Sequence, residues 1–152
     1  KGINNQSYVV TSVFCDGVWS EPVAVNKTNF AEFAPKLYKS GEDIFLIYQQ
    51  ATIEFDDDAD IDTVTDAIGI AVSKLNRETM TFENTGVVYS MEGYSFAPDT
   101  DDNYSVWYYN ADGNPFGNSE NNSIVLYDGT EVTVIKENIA NILSLRINYI
   151  RK

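Results

Sequence analysis

The chain contains no histidine and only one cysteine, and its 10 basic residues are outnumbered by 23 acidic ones. Without histidine it lacks the commonest general base at neutral pH and the commonest transition-metal ligand. A single Cys15 can neither close an internal disulfide nor build a zinc cluster. Its place in an alternating segment predicts an inert, half-buried side chain. The net charge of −13 speaks against nucleic acid and anionic membrane as partners, since both demand a basic surface. No apolar run approaches the roughly 18 residues of a membrane-spanning helix, so no membrane insertion is expected. No export signal opens the chain, which starts on Lys1 rather than Met. It is therefore expected to be a piece of a longer protein, with room for an export signal in the missing part. The sequons at Asn5, Asn26, Asn103 and Asn121 are weak evidence for glycosylation, since a chain so rich in Asn, Ser and Thr supplies about two by chance.

What is present points to β structure. A hydrophobic fraction of 43% and ten tyrosines in 152 residues suit one β-rich globular unit with a real core. Helical periodicity is nearly absent, whereas period-2 alternation and turn signals recur. Asp16-Gly17 separates two alternating stretches, a two-residue hairpin signal. Ser40-Gly41-Glu42, Lys74 to Thr79 and Asp128-Gly129 separate three more such pairs. Tyr104 to Tyr109 reads as an aromatic strand.

The segments also repeat. Trp19 to Pro35 aligns without a gap on Phe82 to Pro98 at an offset of 63, ending in Phe33-Ala34-Pro35 and Phe96-Ala97-Pro98. Val132 to Ile142 aligns on the first copy at an offset of 109. Asp43 to Ala51 aligns on Asn103 to Ala111 at an offset of 60, which matches Tyr48 to Tyr108 and removes three residues from the second copy's first hairpin. A repeat unit cannot bury its apolar face alone, so recurrence of this kind implies stacked or radial units. Four antiparallel strands per unit is the propeller-blade pattern. The expected organisation is a partial blade over 7–25, blades over 32–88 and 95–134, and the first strand of another over 141–150. That is an incomplete propeller, to be completed by missing blades or by self-association, because open sheet edges invite partners. In it Trp19 and Phe82 are expected between sheets. A β-sandwich of about ten short strands is the alternative.

The phrases Asp16-Gly-Val-Trp19-Ser-Glu-Pro-Val23 and Phe33-Ala-Pro35-Lys-Leu-Tyr-Lys-Ser-Gly41 resemble blades of sialidase-like β-propellers. Ser73-Lys-Leu-Asn76-Arg-Glu-Thr79-Met-Thr81-Phe82 resembles a degenerate Asp-box turn of the same family. The resemblance covers most of residues 7–150 and implies blade architecture. Catalysis in that family would need an arginine cluster, a tyrosine paired with a carboxylate, and an acid aspartate. This chain has only Arg77, Arg146 and Arg151 and lacks the family's arginine-containing opening motif, so no catalytic residue is assigned.

Two loops carry the candidate sites. Glu54 to Asp66 holds seven carboxylates in thirteen residues, whose mutual repulsion a hard cation would relieve. Asp56, Asp58, Asp60 and Asp62 are the candidate Ca²⁺ ligands; a solvated acidic loop is the plainer reading. The second loop, Asp112 to Asn122, joins Phe116 to amides and carboxylates. Phe55, Asn110, Asp112, Asn114, Phe116 and Asn118 are the candidate ligand-binding residues, since planar aromatics with amides and carboxylates suit sugars. In a propeller these loops emerge on one face with the connections between blades. The expected function is a non-catalytic extracellular or cell-surface propeller segment that binds a glycan or a protein. The alternatives are part of a sialidase-like glycoside hydrolase and a purely structural repeat.

Overall fold

A computed structural model describes residues 7–26, 30–55, 67–114, 120–140, 142 and 144–148. Within them the protein is all-β. Four short strands open it: β1 (Val10–Thr11), β2 (Phe14–Cys15), β3 (Val18–Trp19) and β4 (Val23–Ala24). Eight longer strands follow: β5 (Glu32–Ser40), β6 (Asp43–Ala51), β7 (Ala67–Asn76), β8 (Thr81–Tyr89), β9 (Gly93–Asp101), β10 (Tyr104–Asn110), β11 (Asn122–Tyr127) and β12 (Val132–Ile139). β1 pairs with β4 and β2 with β3, so residues 10–24 form one irregular hairpin turning at Asp16-Gly17, both at positive φ.

β5 to β8 pair in sequence order, each antiparallel to the next. β9 to β12 do the same. One short parallel match, Ala67 and Ile68 of β7 against Gly93 and Tyr94 of β9, links the two runs. No closed ring forms among these strands.

The Phe-Ala-Pro repeat is reproduced in the backbone. Ala34 and Ala97 both hold positive φ, 47° and 51°. The ladder shifts at both places, between Phe33 and Lys36 in β5 and opposite Val106 and Tyr108 in the β9–β10 pair. A non-glycine residue at positive φ is uncommon, so two at equivalent positions mark the same bulge. The pairing corrects one sequence match. Phe33 lies opposite Gln49 and Phe96 opposite Tyr108, so the second hairpin is shorter by four residues, not three. Trp107, not Tyr108, therefore takes the place of Tyr48. The reason is the period of two: removing two residues from each arm keeps every side chain on its face, whereas three would flip one arm.

The two runs pack face to face. Tyr38, Ile47, Ile70 and Val72 of the first meet Trp107, Tyr109 and Val125 of the second, with Val88 and Tyr89 alongside. Tyr89 sets its ring edge-on to both Trp107 and Tyr109, with centroids 5.5 Å apart. On the other face of the first run, Leu46, Tyr48, Ala71 and Phe82 pack against Val9 and Val25 of the opening hairpin. Tyr48 and Trp107 are both fully buried on the face their own run turns toward the preceding segment.

Two expectations for the hairpin fail. Trp19 is 66% exposed, its ring against Phe14 with centroids 5.2 Å apart, while Phe82 is half-buried. Cys15 is exposed, not half-buried. The cause is shared: the first run covers the Val9 and Val25 end of the hairpin, and its tip projects beyond that cover. The described part of the expected strand over 141–150 carries no strand assignment, although the Ile147 N–H reaches Asp99 Oδ2 on β9 at 3.3 Å.

Candidate functional site

The register places the two longest connections and the link between the two runs at one end. β6 stops at Ala51 opposite Ile68, near the start of β7. β9 starts at Gly93 beside Ala67, and Asn110 at the end of β10 lies opposite both Tyr94 and Asn122. The 52–66 loop, the 90–92 connection and the 111–121 loop thus leave from neighbouring strand ends.

Asn110 organises this end. It is fully buried. Its Oδ1 accepts the N–H groups of Asp112 at 3.0 Å and Asn114 at 2.7 Å. Its Nδ2 donates to Asn122 Oδ1 at 2.9 Å, and Asn122 Nδ2 donates to the Ile139 carbonyl at 2.9 Å. An Asn side chain that closes its own loop in this way mimics a backbone turn. Asn110 therefore holds the loop rather than presenting itself to solvent. Above it, Asn121 Nδ2 donates to both carboxylate oxygens of Asp112, at 2.8 and 3.0 Å, and both residues are exposed. Gly93 passes so close underneath that a β-carbon there would lie 2.4 Å from the Asn110 carbonyl. The Tyr109 hydroxyl donates to the Glu92 carbonyl and fixes the neighbouring connection.

The structure brings Asn110, Asp112 and Asn114 together at this loop. Phe55 is placed otherwise: it is half-buried and packs with Phe30 and Tyr94 on Ala31, Ala51 and Ile68. Tyr94 touches this cluster and also lies opposite Asn110, so Phe55 sits at the same end but as packing. Phe116 and Asn118 lie outside the described residues, as do Asp56, Asp58, Asp60 and Asp62. Among the described residues no group of three or more metal-ligating side chains converges.

A polar seam between the opening hairpin and the first run has no counterpart in the sequence reading. Glu32 is buried, and its Oε2 accepts the Val9 N–H at 2.9 Å. Burial pushes its carboxyl pKa up, against the lowering pull of the Val9 N–H and the Asn26 amide. Gln50 Oε1 accepts from Asn26 at 3.3 Å and from Asn84 at 3.2 Å. Asn84 also donates to the Tyr48 hydroxyl at 3.0 Å, which lies 3.2 Å from Ser73 Oγ. Burial and the Ser73 contact act in opposite directions on Tyr48, and burial prevails, holding its pKa up at about 12. The sequence hides this seam because its members come from five separated segments. The Gln49-Gln50 pair inside an otherwise apolar strand is the one signal that could have shown it.

At the opposite end, the tips of the β5–β6 and β9–β10 hairpins flank a groove of 540 Å³ lined by Tyr38, Lys39, Thr100, Asp101 and Asp102. No protein-family model, curated protein or solved structure matches the chain.

Proposed function

We propose that β5–β8 and β9–β12 are consecutive blades of an open, sialidase-like β-propeller segment. In this reading the 10–24 hairpin is the outer half of a preceding blade. The segment is non-catalytic, lies outside the cell or on its surface, and recognises a glycan or a protein through its loop end. One observation carries the reading: β9 runs beside β5 in the same direction. Lys36 Nζ of β5 lies 3.8 Å from Asp99 Oδ1 of β9, and Ser40 Oγ at the end of β5 lies 2.5 Å from Asn103 Oδ1 in the turn just after β9, so rising residue numbers in one hairpin meet rising numbers in the other. Side-by-side, parallel first strands are what radial stacking of blades requires. Two stacked sheets of a sandwich share no such repeat.

The loop end supports recognition because its feet are fixed by Asn110, Asn122 and Gly93 while Asp112 and Asn121 face solvent. Polar groups held by a rigid scaffold lose little entropy on binding. The experiment is a screen of the protein against immobilised neutral and acidic glycans, repeated with Asp112→Ala/Asn121→Ala. Saturable binding to at least one glycan, lost in the double variant, is the expected result. Wild-type binding that the double variant retains would move the site elsewhere, and no saturable binding to any glycan would contradict the glycan reading.

A further inference from the structure

The two outward ends of the stack carry apolar residues at positions that are buried inside it. The ladders define the equivalence between β7–β8 and β11–β12. Ile70 pairs with Tyr89, Ala71 with Val87 and Val72 with Gly86. Ile124 pairs with Lys136, Val125 with Val134 and Leu126 with Thr133. Each pair carries two shifts, after Ile70 and after Val72 in the first run and after Asn122 and after Ile124 in the second; those after Ile70 and Ile124 insert Val88 in β8 and Ile135 in β12. In the first run, Ile70 is fully buried, Val72 is 2% exposed and Val88 packs on them, all against the second run. In the second run, Ile124 and Leu126 are only half-buried and Ile135 is 52% exposed. Among the described residues, the C-terminal segment lies toward the β9–β10 side of this face, where the Ile147 N–H meets Asp99, Arg146 acts on Tyr108, and Val106 and Tyr108 are buried.

The other end shows the complementary deficit. Phe82 packs on the face that the first run turns toward the opening hairpin. Its repeat partner Trp19 occupies the corresponding place on the hairpin and is 66% exposed, beside Phe14 at 57%. Phe14 lies directly opposite Trp19 in the β2–β3 pair and so shares its face, with ring centroids 5.2 Å apart.

We propose that these ends meet: the Phe14–Trp19 face of one copy docks on the Ile124–Leu126–Ile135 face of a second copy, head to tail. This rests on the repeat reading above, and the occupant follows from continuity with the interface already present twice within the chain. The contact is heterologous, so it closes into a ring or grows as an open array. Two chains of charge −13 repel each other at long range, so added salt strengthens the association by screening.

The test is sedimentation of wild type, Trp19→Glu and Ile135→Glu over a concentration series at low and raised salt. Trp emission is read in parallel, since Trp19 is exposed and Trp107 is buried. Wild type is expected to self-associate, more so in salt, with a blue shift as Trp19 becomes buried. Each variant keeps one intact end, and both substituted side chains are exposed, so folding is preserved. Each alone is expected to be monomeric, while an equimolar mixture gives a one-to-one dimer and nothing larger. A wild type that stays monomeric at every concentration and salt overturns the proposal, as does association unaffected by both substitutions, or a mixture without dimer. None of these outcomes touches the loop end, so glycan binding reports separately on that reading.

Discussion

Gln49 donates its side-chain amide to the Ser95 carbonyl at 2.8 Å, with both residues buried. This bond joins the second strand of one four-stranded run to the first strand of the next. The same side chain also faces the Ala97 N–H at 3.5 Å, at the bulge of the Phe-Ala-Pro repeat. Gln49→Leu keeps the volume but leaves a buried carbonyl unsatisfied, which costs about 1–3 kcal/mol. Denaturant unfolding checks this through a lower midpoint at unchanged slope; an unchanged midpoint would mean that the runs are held by apolar packing alone.

The two tryptophans should behave in opposite ways. Trp107→Ala removes a fully buried ring and is expected to cost about 3–5 kcal/mol. Trp19→Ala, at protein concentrations too low for association, is expected to stay within about 0.5 kcal/mol of wild type, as exposed substitutions do. Thermal melts of the two variants side by side make the comparison.

Gly93 combines φ of 114° with the close approach to the Asn110 carbonyl. Gly93→Ala is expected to destabilise by more than about 1 kcal/mol, because the strain of that backbone region and a backbone clash act together. Hydrogen exchange of the Asp112 and Asn114 amides, which Asn110 holds, should accelerate in the same variant.

Glu32 has a raised folded pKa, so the folded state binds a proton more tightly than the unfolded chain. Stability from this group is full below its unfolded pKa and is lost as pH rises through the folded value. Glu32→Gln keeps an acceptor for the Val9 N–H and removes the charge. It is expected to melt above wild type at neutral pH, with the gap closing as pH falls through the raised folded value and gone below about 4.3, the unperturbed value for glutamate. A gap independent of pH would show that Glu32 is not the group responsible.

Much of this fold is written in local pattern. Asp16-Gly17 and Ser40-Gly41-Glu42 mark hairpin turns because glycine admits positive φ there. The repeated Phe-Ala-Pro marks a bulge that recurs. Other features depend on distant segments. Tyr108 matches Tyr48 by residue type, yet pairing places Trp107 in that role, because facing is set by ladder register, not identity. Trp19 matches Phe82 in position but not in burial, since burial depends on what lies beyond the hairpin. The Glu32 seam is assembled from residues with no common spacing, so no window of sequence contains it.

The acidic run is a matter of sequence chemistry alone. If Asp56, Asp58, Asp60 and Asp62 hold Ca²⁺, calcium at 100 times its dissociation constant adds about 2.7 kcal/mol to stability by mass action. Chelator should then lower the melting temperature, and Asp58→Asn with Asp60→Asn should abolish that difference. A response that sodium reproduces at matched ionic strength would leave only a solvated acidic loop.

The parallel placement of β9 beside β5 is tested most directly by zero-length carbodiimide cross-linking of the monomer, read by peptide mass spectrometry. Lys74 Nζ and Asp43 Oδ2, 2.7 Å apart across the β6–β7 ladder, supply the internal control. A Lys36–Asp99 link alongside the Lys74–Asp43 link is the expected result. The control link without any Lys36–Asp99 link would contradict the stacking of the two runs on which this account of the protein stands.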